Sequence, residues 1–253
     1  MKEQYKFSIV TAVYNVEAFL AEMIDSVVNQ TIGLEHIQLI LVNDGSTDGS
    51  GAICDRYGEQ YPDNIVVIHK KNGGVSSARN EGLKHVRGEL VNFLDSDDKL
   101  SENTLADVYD FYQAHRDETD LIAIPLYFFD GQTGNHILNY KFNDGTRVVD
   151  LDAEWENPQL SLSSAFLNWE VLRGLEFDPR LKYAEDAQLI QKVLLRKHTM
   201  GLVQEATYFY RRRSEGEQSA VQTGTMRKAW YNDYLKYFSL NIMEYCVEKE
   251  GFV

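Results

Sequence analysis

Short apolar runs alternate with amphipathic stretches along the first hundred residues. Phe7 to Val13 is apolar and rich in β-branched residues, which predicts a buried strand. Asn15 can cap a helix that carries Phe19, Leu20, Met23, Ile24, Val27 and Val28 on one face. Ile37 to Val42, Ile65 to Ile68 and Leu90 to Leu94 predict three more strands. Helices are expected after Asp48 and, behind the Gly73-Gly74 break, from about Ser76 to His85. Strand and helix alternating at this spacing predict an α/β fold, a mainly parallel twisted sheet with helices on both faces. Right-handed crossovers place the carboxyl ends of such strands along one edge, where ligands bind. The polar stretches Thr11 to Asn15, Asp44 to Asp48 and Asp95 to Asp98 follow those ends, so they are expected to meet at one cleft.

The second half has a different pattern. Leu121 to Phe129 and His136 to Phe142 predict strands joined by an Asp130-Gly131 turn. Tyr183 to Arg196 predicts a helix and Met200 to Tyr210 a strand. Thr225 to Glu250 predicts a long helix with Trp230, Tyr234, Tyr237, Phe238 and Tyr245 near one face. No repeat or low-complexity linker interrupts the chain. The expected organisation is one domain over residues 1–220, with a change of role between a first half (1–100) and a second half (101–220), then a C-terminal helical segment (221–253).

Composition narrows the classes. The chain has 253 residues, a net charge of −14 and a hydrophobic fraction of 43%, enough for a sizeable core. That acidity argues against a protein that coats nucleic acid. Cys54 and Cys246 show neither metal spacing nor a disulfide framework, which fits a reducing compartment. No apolar run reaches membrane-spanning length and no signal peptide is apparent, so a cytoplasmic location is expected. His69, His85, His115, His136 and His198 show no ligand spacing.

The strongest chemical signal is Phe93-Leu94-Asp95-Ser96-Asp97-Asp98. Its three adjacent carboxylates repel one another unless something neutralises them, and hard cations such as Mg²⁺ and Mn²⁺ take such oxygen ligands. A solvated acidic turn is the alternative. Asp44, after the second strand, is placed to accept hydrogen bonds from a nucleotide, while Asp48 reads as a helix cap. Lys71 to Asn80 combines a Gly-Gly approach point with Arg79 one turn into a helix. Glu185-Asp186 opens an amphipathic helix and supplies two carboxylates, which also fit a helix N-terminus without any further role. Tyr210-Arg211-Arg212-Arg213 stands out in an acidic chain. Its arginines can clamp phosphate oxygens or simply offset nearby acids.

Ser8 to Asn15, Val42 to Asp48, Asn72 to Gly82 and Phe93 to Asp98, in this order and spacing, resemble a family 2 glycosyltransferase with the GT-A fold. The match is close over residues 5–100 and weaker to about 215, and it implies a nucleotide-sugar-binding half (1–100) and an acceptor-side half (101–220). Ala12 departs from the proline usual there. The resemblance implies inverting sugar transfer from a nucleotide-sugar, with uridine as the base, to a glycan, teichoic acid or lipid-linked acceptor. Peripheral contact with the inner face of the cell membrane would follow from such an acceptor. Carried over residue by residue, Asp44 meets the base, and Asn72 and Arg79 hold the nucleoside. Ala12, Tyr14, Asn15 and Ser96 lie along the donor, and Asp95 meets ribose or metal. Asp97 binds Mn²⁺ or Mg²⁺, Asp186 is the base with Glu185 second, and Arg211 and Arg212 are placed on the diphosphate. A catalytically silent sugar-nucleotide-binding domain is the runner-up. A nucleotidyltransferase lacks support, because no glycine-rich phosphate loop follows the first strand. The terminal helix mixes acids and bases without a basic face, so it is expected to dock on a partner or a second copy, or to lead into further domains.

Overall fold

Strand β1 (Phe7–Val13) lies between β2 (Ile37–Asn43) and β4 (Leu90–Asn92), and β3 (Ile65–His69) flanks β2; all these pairings are parallel. The buried runs of Ile, Leu and Val explain this, because strands covered on both faces need no polar alternation. Helices α1 (Leu20–Val28), α2 (Ser50–Gln60) and α3 (Val75–Leu83) form the crossovers. The computed structural model describes residues 5–157, 159–181 and 184–213.

After the two-residue strand β5 (Lys99–Leu100) and helix α4 (Thr104–His115), the chain adds β6 (Leu121–Ala123), β7 (Leu126–Asp130), β8 (Gly134–Asn135) and β9 (Arg147–Asp150). Then come β10 (Ala165–Asn168), the short helix α5 (Trp169–Leu172), helix α6 (Glu185–Lys197), β11 (Thr199–Leu202) and β12 (Tyr208–Arg212). The main sheet has the order β3-β2-β1-β4-β10-β6-β11-β9, and a smaller sheet the order β5-β12-β7-β8. β10 enters antiparallel between β4 and β6, joining the two halves into one sheet.

Core residues cover both faces of the large sheet. One cluster packs Phe7, Leu20, Ile24, Leu39 and Phe166 with α1 and α4; the other packs Val10, Ile40, Phe93, Leu167 and Ile190 with α3 and α6.

Four expectations need correction. Asn15 does not cap α1: it takes φ +50°, accepts from the Thr47 amide at 2.8 Å, and leaves the helix to begin at Leu20. The apolar run Leu121 to Phe129 is two strands in different sheets, broken at Pro125, which has no N–H for a ladder. Met200 to Tyr210 splits likewise into β11 and β12. His136 to Phe142 is not a strand: Ile137–Phe142 is a 3-10 helix. There the Asn139 amide occupies the backbone of Leu126, donating to its carbonyl at 2.7 Å and accepting from its N–H at 3.0 Å. The expected helix over Thr225 to Glu250 lies outside the described residues. Among the described residues, no helix is long and apolar enough to cross a membrane.

Candidate active site

Three strand ends do converge. A cleft of about 530 Å³ opens at the carboxyl edge of β1, β2 and β4, and Ala12, Tyr14, Asn15, Asp44, Asn72, Asp95, Ser96 and Asp97 all line it. Two left-handed residues shape its floor. Asn15 takes φ +50°, which asparagine adopts more readily than most residues, with its side chain held by the Thr47 N–H from the turn after β2, and Gly45 takes φ +75° with the Asn72 amide only 2.9 Å from where a Cβ would stand.

Asp44 is buried at 3% exposure. Its carboxylate accepts from Lys70 Nζ at 2.6 Å, from the Gly73 N–H at 3.0 Å and from the Gly74 N–H at 2.8 Å. It therefore holds the glycine loop that carries Asn72 to the cleft. Asp48 fulfils its capping role, accepting from the Ser50 N–H at 3.0 Å and from the Glu17 N–H at 3.1 Å.

The acidic motif divides its work. Asp98 turns inward, accepting from Tyr208 Oη at 2.5 Å and from the Arg211 N–H at 2.7 Å. Burial, then Asp95 and Asp97, push its carboxyl well above the usual range. Asp95 and Asp97 face the cleft. Asp95 accepts from Arg79 Nη2 at 3.1 Å and from Ser163 Oγ at 2.7 Å. Ser163 is delivered by β4 itself, since Asn92 Nδ2 donates to the carbonyls of Ser163 and Ala165, each at 2.8 Å. Asp97 is raised by burial and by neighbouring Asp95, and Arg213 Nη2 donates to it at 2.5 Å.

Asp95 and Asp97 are hard oxygen donors on one wall, with repulsion between them that a cation would relieve. Among the described residues no group of three or more potential ligands gathers. Two carboxylates alone suit Mg²⁺ or Mn²⁺, which usually completes its octahedron with water and substrate phosphate. The residues present fit such an ion.

Arg79 is the centre of the second half of the site. Buried at 5% exposure, it donates to Asp186 Oδ1 at 2.6 Å, Glu185 Oε1 at 3.2 Å and Asp95 at 3.1 Å. Its expected place on the nucleoside is not where the structure puts it, because the guanidinium turns to these acids. Glu185 and Asp186 open α6 directly after Ala184, a non-glycine residue at φ +64°. Burial and the adjacent Asp186 push Glu185 up to about 8. Asp186 is also raised by burial, with Arg79 pulling against that and Asp95 adding to it. Asp186 holds the shorter contact to Arg79. Glu185 and Asp186 interact directly, and both carboxyls are raised together as a pair.

The arginine cluster requires a correction. Arg211 does not reach the cleft: it bonds Asp130 Oδ2 at 2.6 Å, the Asp97 carbonyl at 2.7 Å and Glu22. Arg212 stacks on Phe128 and Tyr210. Tyr210 and Arg213 of the same run, which the diphosphate assignment left out, line the cleft instead. Strand alternation already separates Arg212 from Arg211 and Arg213; only the closeness of β12 to the Asp97-Asp98 turn tells the latter two apart.

A family model described as Glycosyl transferase family 2 matches residues 8–172. The chain belongs to that family. It is 46% identical over 240 residues to the minor teichoic acid biosynthesis protein GgaB of Bacillus subtilis strain 168, covering 95% of this chain and 26% of GgaB. It is 37% identical to GgaA of the same organism, covering 93% of this chain and 52% of GgaA. The chain thus spans between a quarter and about half the length of these relatives. Among solved structures, Staphylococcus aureus TarS 1–349 in complex with UDP-GlcNAc superposes with a TM-score of 0.72 at 26% identity, covering 86% of this chain and 62% of that one. The large mostly parallel sheet flanked by helices is therefore the GT-A architecture of a family 2 glycosyltransferase.

Proposed function

We propose that this chain transfers a sugar from a UDP-sugar to a hydroxyl of a teichoic acid or a related cell-surface polymer, with inversion at the anomeric carbon. The observation that carries this reading is the Arg79-centred cluster, which ties Asp186 and Glu185 to Asp95 at the cleft wall. The teichoic acid names of GgaB and GgaA and the UDP-GlcNAc complex of TarS support the choice of acceptor and donor.

In this reading Asn72, Tyr14 and the Asp44-held glycine loop receive the nucleoside, and Arg213 faces the diphosphate. Asp95 and Asp97 would hold Mg²⁺ or Mn²⁺, which when bound offsets charge on the departing diphosphate. Asp186, which holds the shorter contact to Arg79, is the carboxylate that accepts the proton of the acceptor hydroxyl as the new C–O bond forms, with Glu185, raised by burial, beside it.

A screen of UDP-sugars with Mn²⁺ and a ribitol- or glycerol-phosphate polymer, reading release of UDP, tests the reading. Polymer-dependent release is expected. UDP bound without any turnover across the screen would favour a silent sugar-nucleotide-binding domain instead.

A further inference from the structure

The acid pair sits at the end of an irregular stretch. Between Leu172, the end of α5, and Glu185, the start of α6, no strand or helix holds the described residues in place. A base must nevertheless be held to within a fraction of an ångström of the hydroxyl it serves. Two neighbouring residues of α3 attach this stretch from outside. Asn80 makes a reciprocal pair with the backbone of Phe177: Nδ2 donates to the carbonyl at 2.8 Å, and Oδ1 accepts from the N–H at 2.8 Å. The Phe177 ring then packs edge-on against Phe93, just before the acidic motif, with centroids 5.0 Å apart. Arg79 lies over the same ring at 5.4 Å and extends its fork to Asp186, Glu185 and Asp95. The amino end of α3 is itself set by Asp44, through the Gly73 and Gly74 amides.

We infer that Arg79 and Asn80 are positioning residues for the base, not donor ligands, and that α3 transmits the donor side's geometry to Asp186. The geometry distinguishes this from nucleoside binding. Arg79 does not line the cleft, and its terminal nitrogens are engaged by three carboxylates. Asn80 is turned away from the cleft, with both amide atoms on Phe177.

The inference rests on Asp186 as the base, so the test includes Asp186→Asn. Steady-state turnover of the UDP-sugar found in the screen is measured for Asn80→Ala, Asn80→Asp, Arg79→Lys and Asp186→Asn, with UDP affinity in Mn²⁺ by calorimetry. Hydrogen exchange at Phe177 and along α6 reports on the attachment itself. Asn80→Ala is expected to lower kcat by about 10- to 100-fold, as a small misplacement does. KM for the donor and UDP affinity should stay within about twofold, and exchange at Phe177 and early α6 should speed up. Asn80→Asp keeps the acceptor for the Phe177 N–H and loses the donor, so its kcat should fall between wild type and Asn80→Ala. Arg79→Lys keeps the charge without the fork and should lose kcat with UDP affinity intact. UDP affinity falling in step with rate in either Arg79→Lys or Asn80→Ala would overturn the inference and return Arg79 to the nucleoside. Unchanged kcat and exchange in Asn80→Ala would overturn it too, while an inactive Asp186→Asn left the base reading standing. An active Asp186→Asn would overturn both.

Discussion

Glu185 and Asp186 are neighbours in sequence, of the same chemical type, and both bonded to one guanidinium, and the proposed reading gives them different roles. That division follows from the cation contact, 2.6 Å from Arg79 to Asp186 against 3.2 Å to Glu185. Asp186→Asn keeps the shape and removes the proton acceptor, so transfer should fall by about 10²–10⁴-fold while UDP affinity stays near normal. Rate and calorimetry on the same preparation check this. Glu185 makes a separate prediction through stability. Its folded pKa of about 8 exceeds the ordinary 4.5, so between these values the folded state binds more protons than the unfolded one. The slope of unfolding free energy with pH is then negative. The stability this group contributes is present below about 4.5 and is lost as pH rises through about 8. Glu185→Gln removes that slope. Melting temperatures at pH 5.5 and 8.5 should therefore show the variant gaining on wild type at the higher pH. A gap that widened in favour of wild type would reverse the assignment. Asp44, Asp95 and Asp97 were legible because they follow strand ends, and Glu185 and Asp186 because they open an amphipathic helix. Arg213 was not, because three consecutive arginines differ only in what β12 packs against.

Elements of the first half were legible for a similar reason. β1, β2 and β4 are buried apolar runs whose hydropathy and geometry agree, and α3 follows a glycine pair that cannot continue a strand. In the second half the chain changes sheets inside stretches that read as single strands. Leu121 to Phe129 crosses from the large to the small sheet at Pro125 within an unbroken apolar run, whereas Met200 to Tyr210 crosses between Leu202 and Tyr208 through Gln204, Glu205 and Thr207, polar residues that do mark the break. Side-chain capture of backbone is silent in a hydropathy pattern, and Asn139 on Leu126 is what makes a 3-10 helix of an expected strand. The contact of α3 with β1 offers a quantitative test. A Cβ on Gly82 would lie 2.4 Å from Val10 Cγ1. Overpacking of this kind costs about 1–3 kcal/mol, against a helix-propensity gain of about 1 kcal/mol for Gly→Ala. Gly82→Ala should therefore destabilise in the wild-type background and stabilise in a Val10→Ala background, where the clash is gone. Denaturant midpoints of the four proteins give the cycle. The same sign in both backgrounds would mean that the helix moves away as a unit.

At the scale of the whole molecule, the net charge of −14 meets a donor that is itself an anion. The cleft does not reverse that sign. Asp44, Asp95 and Asp97 line it, and among the described residues that line it Arg213 is the one cation, already bonded to Asp97. The cations behind the wall are also engaged: Lys70 with Asp44, Arg79 with three carboxylates, and Arg211 with Glu22 and Asp130. Arg211 thereby joins α1, β7 and the Asp97-Asp98 turn, so its charge is spent on holding the acidic motif in place. Like charges a few ångströms apart in a partly buried cleft repel by kilocalories rather than tenths, on the order of 4 kcal/mol at 4 Å for a surface-like dielectric. A divalent cation is therefore expected to strengthen diphosphate binding at this site. UDP affinity should rise at least about tenfold on adding Mn²⁺ and fall back on chelation, an effect larger than monovalent salt can produce at equal ionic strength. Asp97→Asn removes one anionic ligand and one repelling charge together. If Asp97 serves only to position Arg213, the amide should bind UDP better than wild type without metal and keep the full Mn²⁺ enhancement. If it holds the ion, the enhancement should collapse, because the gain in metal-free binding cannot replace the cation that bridges to the diphosphate. Calorimetric titrations of UDP into wild type and Asp97→Asn, each with and without Mn²⁺, separate the two, and the expected outcome is the collapse.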